Sequence, residues 1–401
     1  MVGSRSLTVP DWSSFLPVSE MRRRYFYLGA FLLLLFEAAN VYFIMPFPGS
    51  QRMQSVDFAY VLYRWRWALR AAFGALMLAG IAPAFRVPAR RRILPGLTLA
   101  LTAAGVFMIN AKLQADRIFI APQAVTMRPA TESVVDSARL VVGVALNGDA
   151  RAYPLQYIGY HHQVRDSVGG EPVLVSYCTV CRTGRVFSPK VDGEVEEFRL
   201  VGMDHFNAMF EDHRTKSWWR QVNGEAATGA SKGRKLAEVA SMQLPLREWL
   251  ALHPNSLIMQ PDSALSHRYS ASFDYETGMS RKTLTGTDTI SWGEKAWIVG
   301  VRIGNSSKAY DWIQLRKQRL INDVVGGTPI AVVMASDTAT FFVYERPDTA
   351  SRFTWRNDSL VTAQATYAIN GRGAAGTLRA LSASQEFWHS WRTFNPGTAR
   401  Y

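Results

Sequence analysis

Cysteine is almost missing from this chain, with two residues among 401, Cys178 and Cys181. A framework of several disulfides, the usual support of small secreted domains, is therefore excluded. There is no P-loop, dinucleotide fingerprint, haem-attachment motif or His-Glu-x-x-His sequence, so the nucleotide, haem and zinc-protease chemistries that those motifs carry find no support. Nor is there a basic stripe interleaved with stacking aromatics, so no nucleic-acid partner is expected despite a net charge of +13. Lysine is absent from residues 1–111, which hold 12 Arg against 4 acidic residues, while the remainder has 33 basic and 28 acidic residues. Most of the positive excess thus flanks apolar segments, where it orients helices in a bilayer.

Three such segments are present, from about Tyr25 to Met45, Trp67 to Phe85 and Ile93 to Asn110. Each approaches the ~20 residues that a ~30 Å hydrocarbon layer requires. Arg22, Arg23 and Arg24 precede the first, but no small-residue cleavage site follows it, and Pro46-Phe47-Pro48-Gly49-Ser50 reads as an ordered turn, so the segment is expected to remain as a span. Arg5 and Arg22–Arg24 lie before the first span, and Arg86 and Arg90–Arg92 between the second and third. The intervening loop carries fewer, Arg52, Arg64 and Arg66. This bias places the N-terminus in the cytoplasm and residue 112 onward outside, as a periplasmic domain on a bacterial inner membrane. Glu37 and Asn40 share a face of the first span, and Arg70 in the second is the expected partner of Glu37, because an ionisable group at that depth needs one.

The soluble part matches itself at an offset of 157 positions. Val142-Gly143-Val144 falls on Val299-Gly300-Val301, Ala152-Tyr153 on Ala309-Tyr310, Asp166 on Asp323, and Val168-Gly169-Gly170 on Val325-Gly326-Gly327. Pro172, Val175 and Thr183 recur as Pro329, Val332 and Thr340. Asn147-Gly148 is a hairpin signal between strand-like runs, and a short helix is expected over Leu246 to Leu252, before Pro254. The expected architecture is a β-rich α+β fold in two tandem copies of one unit, preceded by a three-helix transmembrane region. Residues 1–112 form the membrane domain, 113–261 the first repeat, 262–289 the connection, and 290–401 a second, degenerate repeat.

Both cysteines belong to the first copy, as Cys178-Thr179-Val180-Cys181. The second copy has Ala335 and Thr338 in their places, and Gln318 where the first has His161. The soft side chains are thus dispensable for the fold, which makes them candidates for function. Three readings stay open. Two thiolates with His161 or His162 suit copper or zinc, His205 and His213 being further candidates. Alternatively Cys178 is a nucleophile or redox thiol assisted by His161, in an enzyme or redox protein. The bland reading is a local disulfide or inert buried thiols. Trp218 and Trp219 read as packing residues, and His253 and His389 as surface or capping residues.

Tyr153-Pro154, His161, Asp166-Ser-Val-Gly-Gly170 and Tyr177-Cys178-x-x-Cys181-x-Thr183 resemble the uncharacterised bacterial family known as domain of unknown function 3179. The resemblance runs from about 135 to 401, and Pro46-Phe-Pro-Gly-Ser-Gln51 is similar to membrane-anchored members. It implies that Asn207, Asp212, Trp218 and Gln221 belong to the family's pattern, with Asn207, Trp218 and Gln221 as ligand-orienting candidates. The chain departs from that pattern in carrying Thr179-Val180 rather than Pro-Leu between the cysteines, Arg182 rather than Gly after them, and His162 rather than Glu. The family implies no reaction. The leading expectation is a membrane-tethered protein binding a transition metal near Cys178, Cys181 and His161, followed by thiol chemistry at Cys178. The third is a structural or assembly subunit, whose partners would be lipid and other membrane-protein subunits.

Overall fold

A computed structural model describes residues 18–401; Arg5, one of the orienting arginines, lies outside the described residues. The chain divides into two compact units. One comprises residues up to Phe43 together with Asp57–Gln114, and the other joins Ile44–Val56 to Ala115–Tyr401.

The first unit is helical: Val18–Tyr42, Val56–Arg64, Arg66–Phe85 and Ile93–Lys112. Within these, Ser19–Tyr42, Arg66–Phe85 and Ala89–Lys112 are long and apolar enough to cross a membrane. Without a hydrophobic drive between helices in lipid, close backbone approach is what holds them together. Gly29 and Gly80 provide it. A Cβ on Gly80 would stand 2.3 Å from the backbone nitrogen of Phe26, and one on Gly29 2.5 Å from that of Met77. The expected partner of Glu37 is in place: Arg70 donates from Nε to Oε1 at 2.6 Å and from Nη2 to Oε2 at 2.9 Å. Asn110 completes the group, donating to Glu37 Oε2 at 3.0 Å and accepting from Arg70 Nη2 at 2.7 Å.

The second unit is β-rich with short helices. One sheet has the order Met127–Pro129, Leu257–Met259, Asp149–Pro154, Leu140–Leu146, Ser241–Pro245. Its hairpin closes on Asn147 and Gly148 at φ 49° and 84°, the left-handed pair that a tight two-residue turn needs. Leu140–Val144 is buried without alternation because both faces are covered. Trp249, on the helix Leu246–Leu252, lies against Gly143, where a Cβ would fall 2.3 Å from the indole. The helix Leu155–His161 leads into the three-stranded sheet Gln163–Val168, Glu171–Cys178, Thr183–Phe187, and the four strands from Phe198–Asp204 to Ala226–Thr228 form another.

The C-terminal half holds a four-stranded sheet centred on Trp297–Ile303 and a three-stranded sheet centred on Thr328–Met334. It also holds a small meander over 354–377 and the helix Trp388–Phe394. Residues 262–289, expected as a connection, are anchored. Glu276, in the short helix Asp274–Thr277, accepts from Arg139 Nη1 at 2.7 Å and from the backbone N–H of Leu140 at 2.6 Å.

Removing one member of a buried ion pair leaves an uncompensated charge, a loss of about 3–5 kcal/mol. Arg70→Met is expected to destabilise the detergent-solubilised chain by that order, and Arg70→Met with Glu37→Leu to recover most of it. Thermal unfolding of the two variants checks this, and equal losses would disprove it.

Candidate functional site

Cys178 ends the strand Glu171–Cys178 and Cys181 lies in the turn that leads to Thr183–Phe187. The reversal is tight because Arg182 adopts φ 57° and Cys178 pairs across it with Thr183. Both cysteines are free thiols and fully buried.

A second tight turn meets them. The strands Phe198–Asp204 and Asn207–Asp212 are joined by His205 and Phe206, both in the left-handed region at φ 50° and 64°. This conformation turns the Phe206 carbonyl toward both sulfurs, 3.1 Å from Cys181 Sγ and 3.5 Å from Cys178 Sγ. The segment Ile44–Val56 holds the turn from its other side. Gln51 Oε1 accepts from the N–H of Phe206 at 3.2 Å, and Met203 donates its N–H to the Ile44 carbonyl at 2.7 Å. Gln51 is itself buried, its Nε2 reaching the Met45 carbonyl at 3.3 Å.

The two thiols titrate against each other. Burial pushes Cys178 up, but the S–H of Cys181 and the backbone N–H groups of Ala208, Cys181 and Val180 outweigh it, and the net shift is downward. Cys181 goes well up, through burial first and then through its hydrogen bond and proximity to Cys178; Glu386 adds to this and the Ser390 hydroxyl offsets it. Of the two, Cys178 holds its proton less tightly, and Cys181 is the partner that keeps its own. No helix N-terminus is used; backbone amides of two turns take its place.

Beneath the sulfurs lies a buried amide network. Asn207 Nδ2 is 3.8 Å from Cys181 Sγ and 3.2 Å from Gln221 Oε1, which also accepts from Thr183 Oγ1 at 2.7 Å. Gln221 donates in turn to Ser176 Oγ and to the Thr183 carbonyl. Asn207 and Gln221 are therefore brought together under the thiols. Trp218 is not: its Nε1 donates to Glu211 at 3.1 Å, away from the pair, and Asp212 organises the turn over 213–217 and receives Trp219 Nε1.

The histidines depart from expectation. His161 Nδ1 meets the Ile120 carbonyl at 2.5 Å, so that nitrogen carries the proton, and Nε2 receives the Tyr269 hydroxyl at 2.7 Å. Both ring nitrogens of His161 are thus engaged, neither of them with Cys178. Burial lowers its pKa, which keeps it neutral. His162 hydrogen-bonds the Tyr160 carbonyl and packs on Phe119, with its pKa lowered by burial to about 4. Among the described residues no three His, Cys, Asp or Glu side chains gather as metal ligands, so the set Cys178, Cys181, His161, His162 is not assembled. His389, expected at the surface or as a cap, is instead buried and directs Nε2 to the Val180 carbonyl at 3.1 Å. Its segment closes the motif from the C-terminal half: Phe387 N–H donates to the Cys181 carbonyl at 2.9 Å, and Ser390 and Glu386 lie close enough to move the Cys181 pKa.

The downward shift at Cys178 has a spectroscopic consequence. In the reduced full chain, the thiolate absorbance near 240 nm that Cys178→Ala removes is expected to titrate below the ordinary range of a free thiol. Cys181→Ala deletes the S–H donor and is expected to move the midpoint upward. A midpoint at the ordinary value in both proteins would refute the pairing.

Comparison with known proteins finds no match among curated proteins or solved structures. The family model described as protein of unknown function (DUF3179) matches residues 120–398, a span that takes in both cysteines, the Phe206 turn and the segment that carries His389. The chain belongs to the DUF3179 family.

Proposed function

We propose that this chain is a membrane-tethered dithiol protein in which Cys178 attacks and Cys181 resolves, exchanging two electrons with a disulfide partner. The observation that carries the reading is the placement of Cys178 Sγ among the amides of Val180, Cys181 and Ala208, with Cys181 as a thiol donor. In the forward direction the Cys178 thiolate attacks one sulfur of the partner disulfide and expels the other as a thiolate. Cys181, losing its proton to solvent, then attacks Cys178 Sγ and releases the second. The partner gains two electrons and becomes two thiols, and Cys178 and Cys181 become a disulfide.

The soluble unit is read as one fold used twice, with the chemistry confined to the first use. Tyr153 donates to Asp166 at 2.8 Å and Tyr310 to Asp323 at 2.8 Å. Trp249 covers Gly143 as Trp391 covers Gly300, and the turns at Gly169-Gly170 and Gly326-Gly327 have φ of 56° and 81° against 57° and 80°. Ala335 and Thr338 replace the thiols. The arginine distribution supports an extracytoplasmic position for this unit, in a compartment where disulfide partners persist.

A second reading, a Cu(I) site, rests on the two sulfurs converging on one carbonyl, since two thiolates suffice for that ion whereas zinc lacks its further donors.

The deciding experiment reduces the full chain in detergent, presents 2-hydroxyethyl disulfide and follows intact mass. An intramolecular Cys178–Cys181 disulfide is expected, with Cys181→Ala trapping a mixed disulfide on Cys178 and Cys178→Ala trapping none. Thiols that stay reduced until the protein is denatured would overturn the redox reading. Stoichiometric Cu(I) uptake by such a chain would then establish the second.

A further inference from the structure

A cleft of about 350 Å³ reaches the thiol motif from one side. Thr179, the residue between Val180 and Cys178, lines it and is partly exposed while both cysteines are buried. The Tyr275 hydroxyl pins this wall by donating to the Thr179 carbonyl at 3.0 Å, and Gly159 leaves the Thr179 side chain its room, since a Cβ there would meet Thr179 Cγ2 at 3.2 Å. The volume suits a small organic molecule.

The lining is charged unevenly. Arg139 and Glu276 neutralise each other, and Glu276 is further occupied by the amide of Leu140. Three exposed cations remain, Arg268, Arg281 and Lys282, against one carboxylate, Asp274. Arg281 bonds only the Gly278 and Ser280 carbonyls. Neither Arg268 nor Lys282 pairs with a carboxylate among the described residues. Also on the lining, the hydroxyl of Tyr160 is buried and has no hydrogen-bond partner among the described residues. Uncompensated cations over a concave surface attract anions and raise their local concentration.

The geometry points to this cleft as the entry for a small disulfide that carries carboxylate or another anionic group, held by Arg268 and Lys282 with its sulfurs directed past Thr179 to Cys178. The inference rests on the dithiol reading and names its substrate class. The exchange balances as above, the anionic disulfide leaving as two anionic thiols.

The test compares second-order oxidation of the reduced full chain by three disulfides: the dianion 5,5′-dithiobis(2-nitrobenzoate), neutral 2-hydroxyethyl disulfide and the dication cystamine. Each rate is divided by that of the same disulfide with free glutathione, to remove intrinsic reactivity. At low salt the normalised rate for the dianion is expected to exceed that for the dication by roughly tenfold or more, as electrostatic focusing allows. Arg268→Glu with Lys282→Glu is expected to reverse the order, and 0.5 M salt to flatten it. Both positions are exposed, so the melting temperature of the double variant is expected to stay put. Equal normalised rates, or an order that survives charge reversal, would overturn the cleft and leave the dithiol intact. Failure of all three disulfides to oxidise Cys178 would overturn both.

Discussion

A guanidinium with no carboxylate bonded to it among the described residues, that of Arg182, is the constraint around which the β-rich unit is arranged. It follows Cys181 directly, is fully buried, and lies 3.7 Å over the ring of Trp297. Its N–H groups go to the Tyr275 carbonyl at 2.7 Å, the Glu276 carbonyl at 2.9 Å and Gln385 Oε1 at 3.1 Å. A desolvated cation is tolerated only where carbonyl dipoles and aromatic faces replace its water. Here they come from the segment between the halves, from the strand Trp297–Ile303 and from a strand near the C-terminus. One side chain therefore requires three distant parts of the chain to be in place before the cysteine turn can close. Arg185, nearby, is held differently, by the Glu386 carboxylate together with the Val222 carbonyl.

That dependence explains why the thiols are isolated from solvent yet polarised. The amides around Cys178 come from its own turn and from Ala208, and the proton on Cys181 is held by burial and by Cys178, with Ser390 and Glu386 as smaller and opposing influences. The C-terminal half holds no cysteine and yet closes the motif, through the Phe387 amide and the His389 ring. What it contributes is a wall.

Local features were legible from residues alone. Apolar length gave the three helices, Asn147-Gly148 gave its hairpin, and the helix before Pro254 appears as Leu246–Leu252. The pairing of Glu37 with Arg70 followed from the need of a buried carboxylate for a cation. Partner identities at the site were not legible, because they are set by tertiary contacts. His161 finds Tyr269 at a separation of 108 residues, and His389 finds Val180 at 209. Histidine beside a cysteine pair suggests ligation on chemical grounds, yet a ring bonded on both nitrogens has nothing left to offer. For Phe206 there was no signal at all: it acts through its backbone, and any residue able to hold φ near 64° has the same carbonyl. Gln51 carried a faint one, as the last residue of the proline-rich stretch similar to membrane-anchored relatives.

The position of Gln51 bears on how the protein can be handled. Ile44–Val56 lies between membrane-type helices in sequence and nevertheless belongs to the compact unit that holds the thiols. A fragment cut after the last of those helices would look like a complete β-rich unit while lacking the glutamine that steadies the Phe206 amide, 155 residues away. Gly202, at φ 151° with no room for a Cβ against the Ile44 carbonyl, would face an empty groove in such a fragment. The segment Ile44–Val56 is a buttress of the unit that holds the thiols, and trimming it off alters the very turn from which the sulfurs take their bearings.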